Sequence, residues 1–328
     1  MSRVRVWLRR TLVVLAVIMV TLTAAFYVLF YQRDRLPAAP PHALVTPSFV
    51  PVPKLAACWV ETGSTFTGFS FGMTAGSIVV KHPAGTLLID AGNSSHFDEE
   101  VNSYPFWLRL QRKNLAGQLN PDVPLPELLR LVNEDPPKVR WVILSHVHLD
   151  HSGGLMDLPR LPVLLTREEL QYAFDPRVQA KGLVIPAHTQ RFPSADAPTL
   201  KFDPRPYEIF DESADLYGDG SVVLVPLRGH TPGSVGIFVN LDPHRRLFYV
   251  GDAVDDERGF VERVSKPLLL RDSDNDRARA NQIVSVLNQL HKMAPEISII
   301  PAHGRSAYLK FFPGGAFSCV NADTPRSN

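Results

Sequence analysis

The amino-acid sequence predicts an α/β protein of two packed β-sheets with helices outside, preceded by one N-terminal transmembrane helix. Apolar runs of strand length recur in both halves of the chain: "SIVV", "TLLI", "VRWVIL", "SVVLVPL", "SVGIFVNL", "RLFYV" and "EISII". Stretches of helical period stand between them, and such a mixture suits two layered sheets with helices on their outer faces. Ahead of all of these, Thr11–Tyr31 runs for 21 residues without a charge. A helix of that length rises about 30 Å, enough to cross the hydrocarbon core of a bilayer.

The N-terminal run follows Arg3, Arg5, Arg9 and Arg10, whereas Arg33 and Arg35 beyond it are accompanied by Asp34. The excess of positive charge on the first side places residues 1–10 in the cytoplasm and the rest of the chain outside it, periplasmic or extracellular. A cleaved signal peptide is the alternative. Thr23-Ala24-Ala25 is a passable cleavage site, but the apolar run continues to Tyr31, longer than a signal core. Residues 11–31 are therefore read as a membrane anchor, with Tyr27, Phe30 and Tyr31 suited to the far interface. Six prolines between Leu36 and Pro53 exclude a helix, so 32–54 reads as an extended tether and the folded domain as 55–318, with a tail at 319–328.

Within the domain, Ser77 to Val80 and Thr86 to Ile89 form a hairpin about Pro83-Ala84-Gly85, ending in a sharp turn at Asp90 and Gly92. Residues 97–135 are helical and loop-like, with "PELLRLVNE" the clearest helix. "VRWVILS" and "LPVLLT" are strands, the second followed by a helix starting at Thr166 with Glu168 and Glu169 in its first turn. Residues 172–208 read as irregular. Three successive strands follow, then a helix on which Ala280, Ile283, Leu287 and Leu290 share a face, and a last strand ending at His303.

Composition excludes some functions. The formal charge of +1 and 45% hydrophobic residues are ordinary for a globular chain and leave no basic footprint for nucleic acid. The two cysteines, Cys58 and Cys319, form no CxxC pair, so a structural zinc knuckle is excluded. They lie near the two ends of the domain, in a compartment that permits disulfides, and are either bridged or two unrelated thiols. Nothing in the sequence specifies an oligomeric state.

The stretch "LSHVHLDHSGG" places His146, His148, Asp150 and His151 directly after a strand. His230 in "PLRGHTPGS", Asp252 in "LFYVGD" and His303 in "IIPAHG" also stand at strand ends. Imidazole and carboxylate are natural ligands of zinc and related divalent metals. Alternate residues of an extended segment point the same way, so His146 and His148 can grip one ion. Gly153-Gly154 lets the backbone turn tightly beside it. His42, His82, His96, His188, His244 and His291 lack this context and read as isolated surface or capping histidines.

"HVHLDH", with the turn at Asp90, "GHTPGS", "FYVGD" and "PAHG" in that order, resembles the metallo-β-lactamase superfamily from about Leu55 to Phe312. The resemblance implies an αββα sandwich with two divalent metal ions, zinc first among them. His146, His148 and His230 would hold one ion, Asp150, His151 and His303 the other, and Asp252 would bridge them. Asp90 would orient the metal loop, or simply form a turn. An intact Asp150-His151 pair and cysteines far from the motif set the chain apart from true β-lactamases and nearer the dinuclear hydrolases. In those a metal-bridging hydroxide attacks a carbonyl or phosphorus, and Asp150 would accept its proton. The expected reaction on a small-molecule substrate is hydrolysis of a carboxylic ester or lactone. Thioester or phosphodiester hydrolysis and an iron-dependent, sulfur dioxygenase-like reaction are the alternatives. Homoserine-lactone lactonases of this family carry a tyrosine three positions after the bridging aspartate, where this chain has Asp255. Glyoxalase-type extensions and the RNA-grasping arm of ribonuclease Z are not evident. The segment "SYPFWLRLQRKNLAG" reads either as an amphipathic helix packed on the sheet or as a lip that touches an acyl chain or the membrane.

Overall fold

A computed structural model describes residues 2–45, 47, 51–64, 73–115, 123–194 and 197–324. In chain order the strands are β1 (Ala56–Ser64), β2 (Thr74–Lys81), β3 (Thr86–Ile89), β4 (Val139–Ile143), β5 (Val163–Leu164), β6 (Ala214–Asp215), β7 (Val222–Pro226), β8 (Val235–Asp242), β9 (Arg245–Tyr249), β10 (Ile297–Ile300) and β11 (Ser318–Asn321). They form two sheets, ordered β11-β1-β2-β3-β4-β5 and β10-β9-β8-β7-β6. The hairpin pairs Ile78 with Ile89, and β3, β4 and β5 are parallel. In the second sheet β7, β8 and β9 are antiparallel and β9–β10 is parallel.

Side-chain alternation explains the layers. Ile78, Val80, Leu87 and Ile89 face inward and meet Leu224, Ile237, Val239 and Leu247 of the other sheet. Val79 and Leu88 face outward, against Leu125 and Leu129 of the helix Leu125–Leu131. Val223 and Val225 likewise face Leu287 and Leu290 of the helix Arg277–Met293. Both faces of each sheet are thus covered, which is why these strands read as continuous apolar runs rather than alternating ones.

Several expectations are refined. Only Val163–Leu164 of "LPVLLT" pairs as a strand. β10 stops at Ile300 because Pro301 has no N–H to continue the ladder. The stretch 172–208, expected to be irregular, includes the helix Pro176–Ala180 and the end of the helix Arg167–Ala173. On the helix Arg277–Met293, Ala280, Val284, Leu287 and Leu290 are buried while Ile283 is only partly covered. The N-terminal helix Ser2–Phe30 is long and apolar enough over Arg5–Phe30 to cross a membrane, with mean hydropathy 2.7. The described part of the proline-rich stretch up to Val45 is extended, but it lies along the domain: Arg35 bridges Val264, Val45 bridges Glu208, and Leu36 is buried.

Residues 319–321 join Ser318 in β11, and Cys58 and Cys319 are cross-strand partners joined by a disulfide. Arg245 donates to the Asn321 and Thr324 carbonyls and fastens the same end. The bridge spans 261 positions of sequence. Replacing both cysteines by serine is expected to cost about 2–5 kcal/mol in urea unfolding, by freeing the denatured chain. An unreduced tryptic digest of protein from an oxidising compartment should yield one linked peptide pair. Two free thiols there would reject the bridge.

Candidate metal centre

Five strand ends supply the site. Asp90 follows β3; the loop after β4 brings His146, His148, Asp150 and His151; His230 lies between β7 and β8; Asp252 follows β9; His303 follows β10. Asp90 sits at φ 56°, a left-handed conformation that aspartate tolerates better than most residues. Its buried carboxylate accepts from Ser145 N at 2.6 Å and from the Ser145 hydroxyl, the Tyr249 hydroxyl and His151 Nδ1, each at 2.7 Å. Gly153 and Gly154 serve a different need from the one expected. Gly153 has a helical φ of −61°, but a Cβ there would lie 2.2 Å from Ser94 N, and one at Gly154 2.2 Å from the Ala91 carbonyl. Close approach of two loops, not an unusual dihedral, excludes a side chain at both.

Each histidine points one ring nitrogen inward and spends the other on a partner. His146 Nδ1 faces the Ser145 hydroxyl at 3.1 Å and His148 Nε2 the Tyr172 hydroxyl at 3.2 Å. His151 Nδ1 meets Asp90, His230 Nδ1 meets Asp274 at 2.8 Å, and His303 Nδ1 donates to the Thr74 carbonyl at 2.8 Å. The inward nitrogens converge: His148 Nδ1 lies 3.1 Å from His146 Nε2 and 3.0 Å from His230 Nε2. Asp252 reaches both halves of the cluster. Its Oδ2 is 3.8 Å from His146 Nε2 and 3.5 Å from His230 Nε2, and its Oδ1 is 3.3 Å from both His151 Nε2 and His303 Nε2. Asp150 Oδ2 stands 3.3 Å from His303 Nε2. Three donor groups, His146/His148/His230, His146/His151/Asp252 and Asp150/His151/His303, are each compact enough to hold a metal ion.

The electrostatics match such a cargo. Burial, reinforced by neighbouring rings, pushes His146 and His148 well below the usual imidazole range, so both offer lone pairs. Burial and then Lys266 lower His230 as well. In the other half, burial also opposes charge on His151, but Asp252, Asp90 and Asp150 outweigh it and push that imidazole up to about 10. His303 is raised in the same way, chiefly by Asp252 and Asp150 against burial. Carboxylates there favour positive charge at the point where the rings meet. Among the described residues, His151 Nε2 and Asp252 Oδ1 are buried without a well-directed hydrogen bond, although only 3.3 Å apart. Converging neutral nitrogens, paired carboxylates and orphaned inward atoms fit two divalent cations.

Supporting residues were less visible in the sequence. Glu169, expected only as a first-turn acid, is buried: Oε1 accepts from Val147 N at 2.8 Å, and Oε2 from the Thr231 hydroxyl at 2.6 Å and Gly233 N at 3.0 Å. It thereby ties the "HVHLDH" loop to the "GHTPGS" loop. Asp274 also binds Lys266 at 2.6 Å. His188 is not a surface histidine: it is fully buried, between the Ser152 hydroxyl at 2.9 Å and Glu100 at 3.0 Å. A cavity of about 640 Å³ opens over the centre, lined by His148, Asp150, Asp252 and His303, with Asp255 and Lys266 also on its wall. Leu108, Gln111 and Arg112 of the helix Phe106–Leu115 also line it, while Phe106 and Trp107 are exposed instead of packed on a sheet. A larger cleft of about 930 Å³, between the proline-rich stretch and the helix Arg277–Met293, touches none of the seven donors.

Two sheets with outer helices and a histidine–aspartate cage at one shared edge define a metallohydrolase. The chain belongs to the metallo-beta-lactamase superfamily, whose profile matches residues 75–284. It is 25% identical over 244 residues to the N-acyl homoserine lactonase AttM of Agrobacterium fabrum, covering 71% of this chain and 82% of that protein. A probable metallo-hydrolase of Mycobacterium tuberculosis is 29% identical over 261 residues, covering 74% and 79%. An N-acyl homoserine lactone hydrolase solved with N-hexanoyl-L-homoserine at its catalytic metal centre shares the fold, with a TM-score of 0.53 at 19% identity, covering 78% of this chain and 94% of that one.

Glu169→Gln would turn an amide N–H₂ toward backbone and hydroxyl donors. It is expected to lower stability by about 1–3 kcal/mol and metal affinity by about 10–100-fold. Urea unfolding of the metal-free protein and competition with a chromogenic chelator measure the two effects. Unchanged values in both would show that Glu169 does not brace the loops.

Proposed function

We propose that this protein is a membrane-anchored hydrolase of a lactone or closely related carboxylic ester, acting outside the cytoplasm with two divalent metal ions, zinc in first place. The observation that carries this reading is Asp252, which turns one oxygen to His146 and His230 and the other to His151 and His303. His146, His148 and His230 would hold one ion, and Asp150, His151 and His303 the other, with Asp252 available to both. Bound there, such ions lower the pKa of a water and polarise the carbonyl it attacks. The lactonase names among the relatives support a lactone as the substrate class.

The chain's own groups do the rest. Asp150, held ionised by His151 and His303 against the effect of burial, faces the cavity and accepts the proton of the attacking water. Water oxygen joins the acyl carbon, the acyl carbon–oxygen bond breaks, and a proton goes to the departing alkoxide, giving a hydroxy acid from a lactone. Arg112 also lines the cavity, where its guanidinium donates to the Lys181 carbonyl at 2.8 Å and adds positive charge to that wall. Asp255 offers no hydroxyl donor, because its carboxylate is engaged by Arg33 at 2.8 and 2.5 Å. Acyl-homoserine lactones are therefore not the preferred lactones or esters.

A panel of lactones, aryl esters, thioesters, phosphodiesters and a β-lactam, run on the full chain in detergent, tests this. Turnover should be greatest on lactones or esters, vanish on chelation and return with zinc, with two metal equivalents per chain. Asp252→Ala should lose metal and at least about 100-fold in kcat/KM. Two tightly held metals and normal turnover in that variant would refute the ligand assignment. A clear preference for a homoserine lactone would refute the role given to Asp255.

A further inference from the structure

The residues that leave the apolar N-terminal helix bind directly to the rim of the metal cavity. Arg33, only three positions beyond the helix end at Phe30, grips Asp255 and also Asp256 at 2.8 Å. Asp34 pairs with Arg271 at 2.5 Å, and Leu36 N donates to the Arg263 carbonyl at 3.0 Å. The helix itself touches the helix Leu268–Arg271, whose Leu269 and Leu270 line the same cavity as Asp255. No flexible tether separates anchor from site. A helix that spans the bilayer therefore holds this rim within about one helix diameter, roughly 10 Å, of the membrane surface.

Another helix that lines the cavity has the chemistry of a lipid interface. The helix Phe106–Leu115 turns Leu108 and Arg112 to the cavity and leaves Phe106, Trp107 and Leu110 outside it, 58%, 76% and 42% exposed. Arg109 lies over the Phe106 ring at 5.9 Å, and Lys113 reaches Asp98 at the surface. Leu268, on the helix that the anchor touches, is 39% exposed. Aromatic and aliphatic side chains interleaved with cations suit the boundary between acyl chains and phosphate headgroups. This helix and the helix that the anchor touches thus line one cavity.

We propose that the cavity mouth docks on the outer leaflet of the membrane its own helix crosses, with Phe106, Trp107 and Leu110 at the lipid interface, and that the enzyme takes a long-acyl lactone or ester from that leaflet. The substrate half rests on the hydrolase reading; the docking half rests on the helix and the rim alone. The full chain in phospholipid nanodiscs tests both. Docking is read by tryptophan quenching with brominated phosphatidylcholine, comparing wild type with Trp107→Phe. The difference isolates Trp107 from Trp7, Trp59 and Trp141, and it should be quenched. An unquenched Trp107 overturns the docking, whatever the enzyme hydrolyses. Uptake from the leaflet is read on the Phe106→Ser/Trp107→Ser/Leu110→Ser variant. Its kcat/KM for a long-chain lactone dissolved in the nanodisc should fall about tenfold, with that for a short water-soluble lactone unchanged. Equal rates on the long-chain lactone overturn the uptake. If wild type hydrolyses neither lactone, the hydrolase reading fails, and uptake of such substrates with it, while the quenching still decides the docking.

Discussion

The Asp90 carboxylate takes hydrogen bonds from both sheets at once: from Ser145 and His151 beyond β4, and from Tyr249 at the end of β9. A fully buried carboxylate is costly unless its oxygens are satisfied, and four donors satisfy this one. The bonds fix where the "HVHLDH" loop leaves its sheet and how far the second sheet's edge lies from it. They also fix the His151 tautomer, so that Nε2 is the nitrogen left for the centre. The left-handed backbone at Asp90 stores strain of about 1–3 kcal/mol, which these contacts hold in place. The other elements of the cage, from the His230 loop to His303, are arranged about the edge this carboxylate sets.

The strands and the donor cluster were legible because both are local. A run such as "VRWVIL" announces a strand buried on two faces, and "HVHLDH" puts four donor side chains within six positions. The groups that brace them were not, because they act across the fold. Glu169 binds Val147 across 22 positions, and Asp274 reaches His230 across 44. Neither sits in a pattern that separates it from a solvated acid. His188 has the same invisibility: its partners Ser152 and Glu100 lie 36 and 88 positions away. β11 escaped notice because "SCVN" is four residues with no apolar alternation, and it is defined by pairing with β1 and the bridge to Cys58.

The helix Phe106–Leu115 shows where periodicity alone misleads. Its apolar residues invite the inference that they face a core. The cavity instead takes Leu108, Gln111 and Arg112, and the aromatic pair points elsewhere. A stripe reports that a face must be covered by something other than water, not that the cover belongs to the same chain.

The grip of Arg33 on Asp255 and Asp256 also bears on where this protein begins as a chemical object. A soluble fragment cut at Leu55, where sequence alone sets the start of the domain, discards the guanidinium that grips Asp255 on the cavity wall and Asp256 beside it. Burial and the neighbouring Asp255 already raise Asp256 above the ordinary carboxylate range with Arg33 in place. Without it, the two carboxylates would lose the cation that offsets their mutual repulsion beside the histidine–aspartate cage. Such a fragment would thus carry an altered electric field along one wall of the cavity.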